Sequence, residues 1–166
     1  METERCNINL TKQSDYNDLV ELYHDNRVWD YLGGKRSSQQ IEKRISEWIN
    51  PEENCMYWTV RERISSAFLG CIILTPHYDG EYTQVSYMFL SRYWGNGFAF
   101  ETVSRVLHHF FKVNINKKLI AEAQSKNTAS CSLLKRLGFQ EIKKVVRFNS
   151  EQIIFAIDYP TISKLA

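Results

Sequence analysis

Apolar and polar positions recur along this chain with two periods, and the switches between them mark its elements. Asn7 to Leu10 reads as a short first strand. Tyr16, Leu19, Val20 and Tyr23 then follow helical spacing, with Ser14 and Asp15 as start signals. Gly33-Gly34 interrupts. Ile41, Ile45, Trp48 and Ile49 predict a second amphipathic helix, with Ser37 and Gln40 in capping-box spacing ahead of it and Pro51 just past its end. Three strand-like runs follow: Met56 to Arg61, Phe68 to Thr75 and Tyr82 to Leu90. The break at His77-Tyr78-Asp79-Gly80 predicts a hairpin turn, because Asp-Gly favours positive φ. A long helix then carries Val103, Val106, Leu107, Phe110 and Phe111 on one face. Leu119 to Ala123 is a further strand, and a helix from Thr128 to Leu137 stops at Gly138. Two strands close the chain, Glu141 to Phe148 and Gln152 to Tyr159. The order β-α-α-β-β-β-α-β-α-β-β predicts an α+β sandwich, a mixed sheet with helices on both faces.

Composition narrows the class. At 166 residues, with no repeat or low-complexity linker, one domain spanning 1–166 is expected. Lys plus Arg is 21 and Asp plus Glu is 19, and the resulting +2 is too small an excess to signal nucleic acid or a membrane surface. No stretch approaches the roughly 18 apolar residues of a membrane span. Cys6, Cys55, Cys71 and Cys131 form no CxxC pair, so a zinc ribbon or thioredoxin-type site has no support. His108 and His109 are helix neighbours that point about 100° apart, which does not suit one metal. No metal is expected. With no signal peptide, reduced thiols and a cytoplasmic setting are expected.

Two segments carry chemistry. In Tyr87-Met88-Phe89-Leu90-Ser91-Arg92-Tyr93-Trp94-Gly95-Asn96-Gly97-Phe98-Ala99 a strand runs into a turn with two glycines, and a helix leaves it. Glycines let a ligand approach backbone amides, and free N–H groups at a helix start attract anions. The turn is therefore expected to hold a phosphate or pyrophosphate. No Gly-Lys-Ser/Thr follows, so it is not a Walker loop. Nor does it have the third glycine of a dinucleotide fingerprint. The second segment is Asn127-Thr128-Ala129-Ser130 before Leu137-Gly138-Phe139. There Asn127 can cap a helix with side-chain amide to spare. Taken alone, each segment is also satisfied by a plain turn or a plain helix cap.

Together they resemble the GNAT superfamily of N-acetyltransferases. Its pyrophosphate loop, Q/R-x-x-G-x-G/A, here reads Trp94-Gly95-Asn96-Gly97-Phe98-Ala99, with tryptophan in place of Gln/Arg. The form is similar to the branch that holds the ribosomal-protein-alanine N-acetyltransferases, as is Asn-x-x-Ser followed by Leu-Gly-Phe. The resemblance implies a three-layer sandwich around a mixed, mostly antiparallel seven-stranded sheet. It implies acetyl-CoA as co-substrate, lying between the strand that ends at Leu90 and the strand Leu119 to Ala123. Backbone groups of Met88, Phe89 and Leu90 would pair with its arm, and the amides from Trp94 to Ala99 would hold the pyrophosphate. Asn127 would contact the arm, with Ser130 close by. A primary amine would attack the thioester directly, with a backbone N–H near Phe89 stabilising the oxyanion. The acceptor would be a protein N-terminus, ribosomal or other, or a small amine such as a polyamine or an antibiotic. A homodimer is among the assemblies the resemblance allows.

Departures matter for the catalytic groups. The carboxylate expected on the strand before the loop is replaced by Gln84, which cannot act as a base. Glu81 and Glu122 are the nearest carboxylates, and each also reads as a solvated strand-edge charge. The family's usual acid, a Tyr seven residues beyond the Asn, is here Leu134, which leaves Ser130 as a substitute acid or a loop support. Trp29, Tyr31, Trp48 and Trp58 read as core or as an acceptor wall. Asp25, Asp30, Asp79 and Glu81 would meet a basic protein acceptor. The missing base and acid keep a second class open, a CoA-binding sensor or partner module with little catalysis.

Overall fold

A computed structural model describes residues 1–115 and 117–159; residue 116 and residues 160–166, which the expected domain also spans, lie outside the described residues. The elements are β1 (Cys6–Leu10), α1 (Tyr16–His24), α2 (Asn26–Trp29), α3 (Ser38–Ile49), β2 (Met56–Glu62), β3 (Phe68–Pro76), β4 (Thr83–Phe89), α4 (Phe98–Val113), β5 (Lys118–Gln124), α5 (Thr128–Arg136), β6 (Gln140–Arg147) and β7 (Ser150–Asp158). The strands form one seven-stranded sheet in the order β1-β2-β3-β4-β5-β7-β6. Every neighbouring pair is antiparallel except β4 and β5, which run parallel. This is the expected α+β architecture.

The local signals explain most boundaries. The Ser37 hydroxyl accepts from the Gln40 N–H and the Gln40 side chain accepts from the Ser37 N–H, so the capping box forms at α3. At the end of α5, Phe139 N–H reaches the Leu134 carbonyl and Gly138 N–H that of Lys135, both at 3.0 Å. That double bond pattern closes the last turn of a helix. The hairpin at Asp79-Gly80 also forms, with Gly80 N–H on the His77 carbonyl at 2.8 Å.

Two features depart from the sequence reading. Helix α2 spans four residues, too short to show a period, and starts because Asp25 Oδ1 accepts the Arg27 N–H. Asp15 is no side-chain cap for α1. It is buried, accepts from the Lys12 N–H at 2.9 Å, and pairs with Arg61 on β2 at 2.8 Å.

Alternation along the strands gives the sheet two apolar faces. Helices α4 and α5 cover one face: Val103, Val106, Leu107 and Phe111 of α4 pack with Val85 and Phe89 of β4 and Leu119, Ala121 and Ala123 of β5. Helices α1, α2 and α3 cover the other: Leu19, Leu22, Val28, Trp29, Ile45 and Trp48 pack with Cys71 and Ile73 of β3 and with Leu90.

Strands β3 and β4 meet closely at Gly70. A Cβ there would lie 2.2 Å from the Met88 carbonyl oxygen and 2.7 Å from the Phe89 Cα, both backbone atoms. Only a glycine lets β4 sit this near. Gly70→Ala is expected to lower stability by about 2–3 kcal/mol, as an overpacked core does. Urea denaturation measures it, and a midpoint equal to the parent's would contradict this packing.

Candidate active site

The parallel pair β4–β5 is paired only at Thr83 with Leu119 and at Gln84 with Ile120. Beyond Gln84 the strands diverge, and a cleft of about 1290 Å³ opens between Val85–Phe89 and Ala121–Gln124. The direction of the β4 backbone decides which groups face that gap. Leu90 N–H bonds the Leu69 carbonyl at 2.9 Å, and the Met88 carbonyl lies against Gly70. Residues 88 and 90 therefore turn their polar groups to β3, and by alternation Phe89 turns its own toward β5. The Phe89 carbonyl indeed points away from β3 and accepts the Trp94 indole N–H at 2.7 Å. Of the three residues expected to pair with a ligand's arm, Phe89 is the one whose backbone faces the opening.

The glycine turn closes one end of the cleft. Gly95 and Gly97 have φ of 78° and 81°, and Gly97 occupies the N-cap position of α4 with no side-chain cap. Glu101 N–H is the first to bond within the helix, to the Gly97 carbonyl at 3.1 Å. The N–H groups of Phe98, Ala99 and Phe100 stand ahead of that ladder, where the helix dipole favours an anion. Arg5 bolts the turn down: its Nε meets Glu101 at 2.7 Å and a terminal nitrogen donates to the Asn96 carbonyl at 3.0 Å. It also neutralises Glu101, a carboxylate in the first turn of α4.

On the α4–α5 face, Asn127 caps α5 by accepting the Ser130 N–H at 3.1 Å. The Ser130 hydroxyl lies 2.8 Å from the Tyr87 hydroxyl of β4. Burial pushes the Tyr87 phenol up to about 12, against the opposing effect of the Ser130 hydrogen bond, so it is a neutral donor near pH 7. Tyr87 opens the stretch singled out in the sequence, but its contact with Ser130 was not legible there, because the partner lies 43 residues away on another element.

Glu122 stands on the opposite face, by alternation from Ala121 and Ala123. It is not a solvated edge charge, as one reading expected. Its side chain is only 11% exposed and pairs with Arg147 at 3.0 Å. Its Oε1 is buried without a hydrogen-bond partner among the described residues. His77, itself buried, lies behind it, with Nε2 3.8 Å from Glu122 Oε2 and Nδ1 2.6 Å from Asp79 Oδ2. Arg147 also donates to the Tyr78 hydroxyl. Glu81 is exposed and does not line the cleft, while Gln84 does and donates to the Ser86 hydroxyl at 3.2 Å.

Met88, Phe89, Trp94, Gly95, Gly97, Phe98, Ala99, Glu122, Asn127 and Ser130 thus converge on one cleft, while Leu90 and Asn96 do not line it. Leu90 is buried against the α1–α3 layer, and the Asn96 side chain braces the turn through the Tyr93 and Trp94 carbonyls. Trp29, Trp48 and Trp58 are core, and Tyr31 reaches the cleft. Cys131 is a buried free thiol, its pKa raised by burial. Asp25, Asp30 and Asp79 line no part of the cleft. Among the described residues no cluster of His, Cys, Asp and Glu could hold a metal, and no helix is long and apolar enough to cross a membrane.

A sheet opened at its one parallel pair thus stands above a glycine turn and a bare helix start. The chain belongs to the acetyltransferase (GNAT) domain family, whose profile matches residues 5–140, and is an acyltransferase of the N-acetyltransferase type. Solved structures share its fold. The acetyltransferase (GNAT family) from Bacillus anthracis superposes with a TM-score of 0.84 at 18% identity, over 96% of this chain and 98% of that one. Spermidine N-acetyltransferase from Vibrio cholerae, in complex with CoA and spermine, gives 0.80 at 14%, over 95% and 98%. Ribosomal-protein-S5-alanine acetyltransferase from Vibrio fischeri gives 0.75 at 19%, over 96% of each chain.

The Tyr87–Ser130 contact is directly measurable. In a double-mutant cycle with Tyr87→Phe and Ser130→Ala, a coupling of about 1 kcal/mol in unfolding free energy is expected, with the double variant losing less than the sum of the singles. Additive losses would mean that the two hydroxyls do not interact.

Proposed function

We propose that this protein is a cytoplasmic acetyl-CoA-dependent N-acetyltransferase whose two substrates enter the β4–β5 opening from opposite faces of the sheet. The observation that carries this reading is the loss of β4–β5 pairing after Gln84, with the Phe89 backbone turned into the gap. A gap between parallel strands offers backbone donors and acceptors to an extended, amide-bearing arm, as a third strand would. The N–H groups of Phe98, Ala99 and Phe100 would hold the pyrophosphate, and the Asn127 side chain the arm. Four free cysteines support a reducing compartment.

Acetyl-CoA supplies a thioester: an amine nitrogen bonds to its carbonyl carbon, the C–S bond breaks, and the products are an N-acetyl amine and CoA thiol. The Phe89 N–H would stabilise the carbonyl oxygen as it gains negative charge. Glu122 Oε1, buried and unpartnered, would receive the proton that the amine nitrogen sheds. On the other face Ser130 would protonate the leaving sulfur, its hydroxyl oriented by the neutral Tyr87 phenol. This division gives Leu134 no acid role; it is buried in the core. The acceptor is a primary amine on a protein N-terminus or a small molecule.

Calorimetry with acetyl-CoA tests the cofactor half. The parent should bind, and Gly97→Trp should lose binding while keeping its far-ultraviolet circular dichroism, because φ there is 81° and the turn must leave room for the anion. A thiol-release assay tests the acceptor half: Glu122→Gln should lower kcat by about 10²-fold or more. A folded parent that binds no acetyl-CoA contradicts the whole reading. Binding without turnover of any amine favours a sensor or partner module.

A further inference from the structure

The charges that line the cleft are uneven. Among the described residues they are Arg27, Arg36, Arg136 and Arg147 against the single carboxylate Glu122. Arg147 is spent on Glu122. Arg136 comes from α5 and stacks over Phe100 of α4, on the face assigned to the carrier. Arg27 and Arg36 are different. Neither has a carboxylate partner among the described residues; each only stacks on an indole, Arg27 over Trp94 at 5.1 Å and Arg36 over Trp29 at 5.5 Å.

Their position assigns them to the acceptor's side. Arg27 lies on α2 beside Val28 and Trp29, which pack in the α1–α3 layer, the layer on Glu122's side of the sheet. Its platform, Trp94, is the residue whose indole N–H holds the Phe89 carbonyl. Two exposed guanidiniums without carboxylate partners, each on an aromatic platform at the cleft, suit a carboxylate or phosphate. The same pair, in a cleft whose single carboxylate among the described residues is already paired with Arg147, repels a molecule bearing several ammonium groups.

We infer that the natural acceptor carries an anionic group, a carboxylate or a phosphate, in the same molecule as its amine, and that Arg27 and Arg36 bind it. The inference rests on the acetyltransferase reading and goes beyond it by excluding polyamines. The ammonium end meets Glu122 and the anionic end meets the two arginines. Selectivity then comes from the pair of opposite charges rather than from cleft size.

Matched amines test this: tyrosine against tyramine, phosphoethanolamine against ethanolamine, and spermidine, each assayed for thiol release with acetyl-CoA. The member carrying an anionic group should exceed its partner lacking one in kcat/KM by about tenfold or more, and spermidine should be the poorest. The tyrosine and phosphoethanolamine arms distinguish carboxylate from phosphate. Arg27→Gln and Arg36→Gln should raise the KM for that anionic amine about tenfold and leave the KM for acetyl-CoA unchanged, with Arg27→Lys and Arg36→Lys partly restoring it. Faster turnover of tyramine, ethanolamine or spermidine than of the members carrying an anionic group overturns the inference alone. So does a rise confined to the acetyl-CoA KM, which would make the arginines carrier ligands. Acetyl-CoA binding with no amine turned over overturns both this inference and the acetyltransferase reading.

Discussion

The structure depends on a seam that does not close. Parallel strands normally exchange hydrogen bonds along their length, and unpaired backbone groups inside a protein are costly. Here β4 and β5 pair over two residues and then part, yet both remain in one sheet because antiparallel neighbours hold them from outside. Gly70 lets β3 grip β4 closely, and β7 pairs with β5 over seven positions from Lys118 to Gln124. The open edge is thus held by its flanks. It leaves the Phe89 N–H facing a gap where a substrate can complete the pairing.

The two sides of that seam carry different chemistry. On the α4–α5 side are a bare helix start, the Asn127 cap and the Ser130–Tyr87 hydroxyl pair, with Arg136 over Phe100 as the cation there. On the other side Glu122 pairs with Arg147 beside His77, and Arg27 and Arg36 stand without carboxylate partners among the described residues. Asp25 ties the sides together. One of its oxygens accepts the Arg27 N–H that opens α2, and the other accepts the Ser91 N–H just after β4 at 2.7 Å. The helix that presents Arg27 is therefore held to the strand end that presents Phe89.

How much of this could be read from the sequence followed contact distance. Helices α3 and α4 announced themselves through apolar stripes and caps, because those signals are local. The glycine turn and Asn127 were legible for the same reason, since each works within a few residues. Arg5 was not, because it reaches its partners across 91 and 96 positions. Glu122 could be named as a candidate, but its burial against Arg147, 25 residues away, follows from strand order rather than from any local pattern. Asp25, Asp30, Asp79 and Glu81 do not line the cleft, whose charged lining among the described residues is mostly arginine.

The central claim is that the Phe89 backbone faces an open seam which the acetyl carrier fills. Amide hydrogen exchange followed by NMR reads it at single residues. In the free protein, the Leu90 amide should exchange slowly and the Phe89 amide quickly, and saturating acetyl-CoA should slow Phe89 markedly while leaving Leu90 little changed. A Phe89 amide already as protected as that of Leu90 without ligand, or one indifferent to acetyl-CoA, would contradict the account.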